Sequence, residues 1–435
     1  MSFIKNLFSK EEIFHLPELR FGRFSDHHST EIKSHLWDEA VLHFEKKAYI
    51  KSYACMLEYL CIEKENNVKF TEKLNLRLKF EIIHGSKVIS GIANQDGFYA
   101  SAKLVKLTQY DEQLFESLLK ENYHLRYTKF ALDEEDHLIL IFFTAHVNAS
   151  PQFLYRGLRE LALLSDTRDD IIIADYDFAI PVNMEVIRKA SKVELDLKFN
   201  YFNDILQEVK NIFDVEKLSK KDHPGIYAYV LLAAVFKLDY LVKPEGKILE
   251  TIIEVHRIFY HTPFLIDKKI ELMYQQFLRL TDYDRKRFEI EIYDTISTFG
   301  ILQHCNREKI IDILYGELHQ AEWYITNGYP EQAKAITDYA VGYLLYSFEI
   351  SEEFRPWLHL YYEITEHRFF SKMGFKFKSS DGVSLKKKTI LKRIDEIKNT
   401  LPKTENEFQK SVNLKYESVE EFAFSYLSCI VKNKK

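Results

Sequence analysis

The sequence predicts an α+β N-terminal domain followed by an all-α C-terminal domain, and three observations predict it. From Leu74 to Ile82 apolar and polar residues alternate with the two-residue period of a half-buried strand. His84-Gly85-Ser86 and Asn94-Gln95-Asp96-Gly97 then punctuate the chain as strand-joining turns. Beyond about residue 184 no segment reads as a strand, and helical periodicity fills the intervals between Pro, Gly and Asn breaks. Only 13 Gly and 9 Pro in 435 residues agree with long helices.

Residues 1–29 form an N-terminal segment of mixed polarity. Phe3, Ile4, Leu7 and Phe8 would share one face of a short helix, which is expected to fold onto the sheet rather than lie on a membrane. The α+β domain covers 30–183. Its first helical pattern runs from Thr30 through Trp37 and Phe44 to Leu60, with a kink near Lys46–Ala48. Strands follow at Leu74–Ile82, Val88–Ile92 and Phe98–Val105. Asp111 opens a helix with Leu114, Phe115, Leu118 and Leu119 on one face. Leu125–Ala131 and His137–Val147 are two further strands, and Ser150-Pro151 starts the last helix as cap and first turn. The result is an antiparallel five-stranded sheet in the order α-β-β-β-α-β-β-α.

The strand His137–Val147 is apolar on both faces, which demands cover on both sides. The face of Asn75, Arg77, Lys79 and Glu81 is wet. Helices are therefore expected over one face. Part of the other would be covered by the N-terminal segment, by the helical half, or by a second copy of the chain.

Residues 184–435 form the all-helical domain of helical hairpins, either a solenoid or a bundle. Helix starts recur about every 20 residues, so a helix pair recurs about every 40, the range of helical-hairpin repeats. Trp323 with the stretch NGYPEQAKAITDYA resembles a tetratricopeptide-type hairpin, with Ala333 and Ala340 as small packing positions.

The element order of residues 30–165 resembles the type III secretion chaperone-like fold, and within it the YbjN-like branch. The residues that carry the resemblance are the Trp37–Leu60 helix, the Leu74–Ile82 strand with its His84-Gly85-Ser86 turn, the Leu118-Leu119-Lys120-Glu121-Asn122-Tyr123 helix end, and Ser150-Pro151. The resemblance implies a non-enzymatic protein that binds other polypeptides, often as a dimer, and it supplies no catalytic residues. The long helical half departs from the single small domain usual for that fold.

Charge and motifs narrow the function classes. Net charge is −6 and the isoelectric point about 6.3, so neither nucleic acid nor a membrane surface is an expected partner. Ile226–Val242 is apolar but contains Lys237 and Asp239, and reads as a buried helix rather than a membrane span. Cys55, Cys61, Cys305 and Cys429 form no CxxC pair, the start has no secretory leader pattern, and the expected compartment is the cytoplasm. No glycine-rich phosphate loop, GxSxG or HExxH is present.

Three clusters could carry chemistry. His359, Glu363, Glu366 and His367 would share one face of a helix, and His359, Glu363 and His367 are the candidate metal ligands of an alternative reading, a metal-dependent enzyme sited between C-terminal helices. A solvated polar face is the simpler account of the same spacing. Between Lys372 and Arg393 eight basic residues stand against one acidic residue; Lys386, Lys387, Lys388, Lys392 and Arg393 are the candidate contacts for an anion or a partner. Asp166, Asp169 and Asp170 read as a solvated helix end. The reading taken forward is a protein-protein interaction module or scaffold with no cofactor. Its partner would be a protein, with a homodimer through the N-terminal sheet as one form.

Overall fold

The computed structural model describes residues 21–22, 31–73, 77–298, 303–351, 353–382, 384–400 and 413–431. Most of the 1–29 segment, including the Phe3–Phe8 stripe, lies outside the described residues, as does Asn75.

The N-terminal half is an antiparallel sheet with helices, and the C-terminal half is helical. The first helical stretch is two helices, α1 (Glu31–Glu45) and α2 (Tyr49–Leu60), broken at Lys47, whose φ is +59°. The strands are β1 (Val68–Lys73), β2 (Arg77–His84), β3 (Lys87–Asn94) and β4 (Gly97–Leu107). After α3 (Glu112–His124) come β5 (Thr128–Leu132) and β6 (His137–Thr144), then α4 (Pro151–Asp175) and β7 (Ala179–Pro181). Spatial order is β1-β2-β3-β4-β6-β5, with β7 paired to β4. β2 to β6 occupy the five expected strand positions. β1 and β7 join them, so the sheet has seven strands rather than five. β1 escapes detection because VKFTEK is a short, charged edge strand, and β7 is only three residues long.

Caps form as their residue types dictate. The Asp111 carboxylate accepts from the Leu114 N–H, and the Ser150 hydroxyl accepts from Phe153, with Pro151 in the first turn of α4. Leu114 and Leu118 are buried, whereas Leu119 is exposed. α2 and α4 cover one face of the sheet, burying Tyr53, Leu57, Leu154 and Leu158 against Leu78, Phe98, Leu140 and Phe142. Gly91 on β3 lies opposite Phe80, and a Cβ there would sit 2.0 Å from that ring, so the glycine lets Phe80 lie flat across the strand.

The helical half contains β8 (Ile187–Lys189), α5 (Lys192–Val215), α6 (Pro224–Lys237), α7 (Gly246–His261), α8 (Ile266–Leu278), α9 (Arg285–Ile290) and β9 (Tyr293–Thr295). It continues with β10 (Gln303–His304), α10 (Arg307–Thr326), α11 (Pro330–Ser347), β11 (Phe348–Glu349), α12 (Arg355–Thr365), α13 (His367–Lys372), α14 (Lys387–Thr400) and α15 (Val419–Val431). The four short strands correct the expectation of none. They pair as β8–β9 and β10–β11, each too brief to leave a periodic signal. α10 and α11 form the expected hairpin, turning at Gly328 (φ +81°) and burying Ala333 and Ala340. α6 packs on α11, and α15 on α10, α11 and α12. In a solenoid each unit touches only its neighbours, so these distant pairings make a bundle. α6 is its axis, and nearly every residue from Ile226 to Val242 is buried. Pro224–Val242 is the one helix among the described residues long and apolar enough to cross a membrane, and here it forms the core of the bundle. Its last turn, Leu238–Val242, widens to a π-helix.

The two halves have separate apolar cores, joined by a polar seam along the second half of α4. Asp166 and Asp169 do not end a solvated helix, because α4 runs on to Asp175 and both carboxylates are buried. They receive the β2–β3 turn. Ser86 donates its N–H to Asp166 Oδ1 (2.6 Å) and its hydroxyl to Asp169 Oδ2 (3.1 Å), and the Lys87 Nζ lies 2.5 Å from Asp169 Oδ2. Gly85 donates to the Ser297 carbonyl of the helical half (2.8 Å). Its φ is +57°, and a Cβ would meet the Asp166 carboxylate at about 2 Å, so only glycine fits.

Asp170 accepts from the Tyr293 hydroxyl across the seam (2.8 Å). Burial, reinforced by the neighbouring Asp169 and Glu245 carboxylates, raises its pKa well above the usual carboxylate range. An acid with a raised folded-state pKa holds a proton that the unfolded chain has released, so its contribution to stability falls as pH rises above about 4. Asp170→Asn keeps the oxygen that accepts from Tyr293 and removes the charge. We expect it to unfold like the parent near pH 4 and to be more stable by about 1–2 kcal/mol at pH 7. Equal urea midpoints at both pH values would refute the assignment.

Candidate partner-binding face

Side chains alternate across a strand, so covering one face with α2 and α4 leaves the other to be settled by neighbours. That other face carries Lys69, Thr71 and Lys73 of β1, Arg77, Lys79, Glu81 and Ile83 of β2, and Val88, Ser90 and Ile92 of β3. Tyr99, Ser101 and Lys103 of β4, Ile139, Ile141 and Phe143 of β6, and Lys129 and Ala131 of β5 complete it. The register sets Tyr99 directly opposite Phe143, with Ile92 on the other side of Tyr99. Among the described residues no helix lies over this face. Phe143 is 59% exposed, and Ile92, Tyr99, Ile139 and Ile141 are half-buried. The turn of Asn183, Glu185 and Val186, together with Asn66 and Asn67, borders one end. Two confluent depressions, about 490 and 520 Å³, run across the strands and share Lys69, Glu81, Ser90 and Ser101.

The face is basic in an acidic chain. Lys69, Lys73, Arg77 and Lys79 make no ion pair among the described residues, and Glu81 is the one carboxylate among them. Lys73 sits directly opposite Arg77, a like-charge pairing that costs stability unless something else favours it. Lysines on an edge strand guard against edge-to-edge pairing, which accounts for Lys69 and Lys73. That guard does not account for Lys79 on an interior strand, nor for the exposed Phe143.

Lys129 and Lys103, also on this face, are occupied. Lys129 donates to the Asn122 and Leu125 carbonyls. Lys103 reaches Glu135 Oε2 (3.1 Å), His137 Nδ1 (3.2 Å) and Asp133 Oδ2 (3.6 Å). Asp133, Glu135 and His137 on the β5–β6 turn are the one trio among the described residues spaced to hold a metal ion. The Lys103 ammonium already stands among their ligand atoms. The Asp133 carboxyl is held below its usual range: its slight burial opposes this, and backbone N–H donors from His137 and Glu135 override it.

The sequence-predicted metal ligands do not assemble. Their spacing requires an unbroken helix, but α12 ends at Thr365 and α13 begins at His367. His359 Nδ1 lies 3.0 Å from the Tyr240 hydroxyl and its Nε2 3.6 Å from Glu363 Oε1, while Glu363 Oε2 faces Arg393 (3.3 Å). Both nitrogens of His359 are thus engaged within the bundle, and its ring lies tilted against Phe21 of the N-terminal segment (centroids 5.0 Å apart). His367 turns its Nδ1 to the Ile364 carbonyl, away from the pair. Glu366 points instead at Lys237.

In the basic segment Lys386, Lys387 and Lys388 are exposed at the start of α14. Lys392 is drawn toward Glu396, and Arg393 is divided between Glu363 and Glu396. Lys392 remains 80% exposed, Lys387 lies over the Tyr416 ring (5.5 Å), and of the five only Arg393 is held against the bundle.

No family model, no curated protein and no solved structure matches the chain.

Proposed function

We propose that this chain is a non-enzymatic protein-interaction module whose open sheet face seats an extended acidic segment of a partner protein. The single observation that carries the reading is the pairing of unmatched cations with an apolar strip, half-buried and at Phe143 exposed, on one uncovered face. Lys69, Lys73, Arg77 and Lys79 lie beside the strip of Ile92, Tyr99, Ile139, Ile141 and Phe143. Such a face suits a peptide that alternates carboxylates with aliphatic or aromatic residues. Aliphatic side chains outnumber the two rings, Tyr99 and Phe143, which favours polypeptide over stacked bases. A homodimer through this face would set basic against basic about a two-fold axis, which favours a different partner. The reading agrees with the chaperone-like resemblance of residues 30–165, which we retain as a proposal. The four cysteines are free, which supports a reducing compartment such as the cytoplasm.

The test is fluorescence anisotropy with three labelled probes. These are a 12-residue peptide alternating Glu with Ile and Phe, its Lys counterpart, and a single-stranded oligothymidine. The acidic peptide is expected to bind, and to weaken as salt rises. Lys69→Glu/Lys79→Glu and Phe143→Ser should each weaken it at least tenfold with unchanged melting temperature. Oligothymidine binding as tight as that of the acidic peptide would overturn the reading in favour of nucleic acid. Absence of acidic-peptide binding, or indifference to both variants, would overturn it outright.

A further inference from the structure

A cleft of about 420 Å³ opens between α5 on one side and α6 with α11 on the other, remote from the sheet face and independent of the reading above. This is the size of a small-molecule site, and such sites pair apolar walls with a few placed polar groups. Val209 and Ile212 of α5, Val230 and Ala234 of α6, and Ala335 of α11 make the walls.

The charges around the cleft, some buried and some at its rim, decide what would bind. Lys237 and Lys334 are matched within the bundle. Lys237 lies 3.3 Å from both Asp338 and Glu366, and Lys334 lies 2.6 Å from Asp338. Lys217 is matched by Glu331 at 2.7 Å. Two carboxylates that line the cleft remain, Glu208 of α5 and Glu420 of α15. Neither has an ion pair or hydrogen bond among the described residues. Three cations, Lys217, Lys237 and Lys334, thus stand against five carboxylates, Glu331, Asp338, Glu366, Glu208 and Glu420, so the cleft carries an excess of two negative charges even though Glu208 also acts on Lys237. An anionic ligand would meet this negative excess, whereas a cation would offset it. The apolar walls call for a hydrocarbon body.

We propose that this cleft binds an organic amine, a primary ammonium carried on an aliphatic chain, with its charge at Glu208 and Glu420 and its chain against α5 and α6.

Isothermal titration of the full chain with n-octylamine hydrochloride and with sodium octanoate, below their micellar concentrations, tests it. Octylammonium is expected to bind at one equivalent and at least tenfold tighter than octanoate. Glu208→Gln and Glu420→Gln lie at the rim and should each weaken the amine severalfold with unchanged melting temperature. Ala335→Leu and, as a second cleft-filling variant, Ala335→Phe should abolish binding; alanine to leucine on a helix surface is well tolerated. Octanoate binding as tightly as the amine, no binding of either probe, or amine binding that survives the cleft-filling variants would overturn the proposal.

Discussion

Lys237→Met is expected to lower the free energy of unfolding by about 3–5 kcal/mol, read as a fall in the urea midpoint. The ammonium sits in the bundle core, 4% exposed, at the end of the most apolar helix of the chain. Taking an ion out of water costs several kcal/mol, and what offsets it here is geometry: Asp338 and Glu366 at 3.3 Å each, with the Tyr361 hydroxyl donating to Asp338 (2.7 Å). Burial alone would lower the Lys237 pKa, but Glu366, Glu208 and Asp338 together hold it well above the usual value. Burial alone would likewise raise Glu366, but Lys237 and Lys334 hold it down to about 2. Methionine fills the volume and leaves two buried carboxylates facing Lys334 alone. The depressed Glu366 contributes stability above its unfolded pKa, about 4.5, and loses it as pH falls toward 2. In the variant Glu366 protonates more readily, so its deficit against the parent should shrink between pH 7 and pH 5. Lys237→Met/Glu366→Gln should recover part of the loss. A deficit under about 1 kcal/mol at pH 7 would show that this network contributes little.

Lys87→Met should cost a similar amount, about 3–5 kcal/mol, at a different place. Lys87 is 1% exposed and is the buried cation of the seam, holding Asp169 at 2.5 Å and donating to the Leu104 carbonyl (3.0 Å). Burial, with repulsion from Asp166, already pushes Asp169 up to about 6 against the pull of Lys87. Without that pull Asp169 rises further, so the deficit should be largest near pH 8 and smaller near pH 5, with Lys87→Met/Asp169→Asn restoring part of it. Lys87, Asp169 and Leu104 all belong to the N-terminal half. Limited proteolysis of the variant should therefore digest that half before the helical one, a pattern Lys237→Met should not show. Digestion of the helical half first would mean that this pair does not hold α4 to the sheet.

These two lysines mark where sequence reading stops. Lys237 was legible as a charge inside a buried helix, because the run around it is apolar on every side. Its partners, Asp338 and Glu366, lie more than 100 residues downstream on helices that look amphipathic by themselves. Asp166, Asp169 and Asp170 read as solvated because carboxylates are rarely buried unless paired; the partner of the first two is a hairpin turn some 80 residues upstream, and that of Asp170 is Tyr293, more than 100 residues downstream. The candidate ligands failed for a related reason. Spacing marks one face only if the helix continues, and the chain turns at Glu366, where the side chain meets Lys237.

The sequence by itself determined the class of each half, the places of β2 to β6, the capped starts of α3 and α4, the buried character of α6 and the wet flank of β2. All of these follow from local periodicity and turn chemistry, which a short window of residues carries. Only the tertiary structure decided that β1 and β7 extend the sheet, that the helices close into a bundle, and that buried charges join the halves. It also decided that the second face of β6, apolar enough in sequence to demand cover, stays open among the described residues. Cover is a property of what packs from elsewhere in the chain, and no local pattern encodes whether a distant element arrives. That open face, with its unmatched lysines, is the surface on which a partner is proposed to complete the fold.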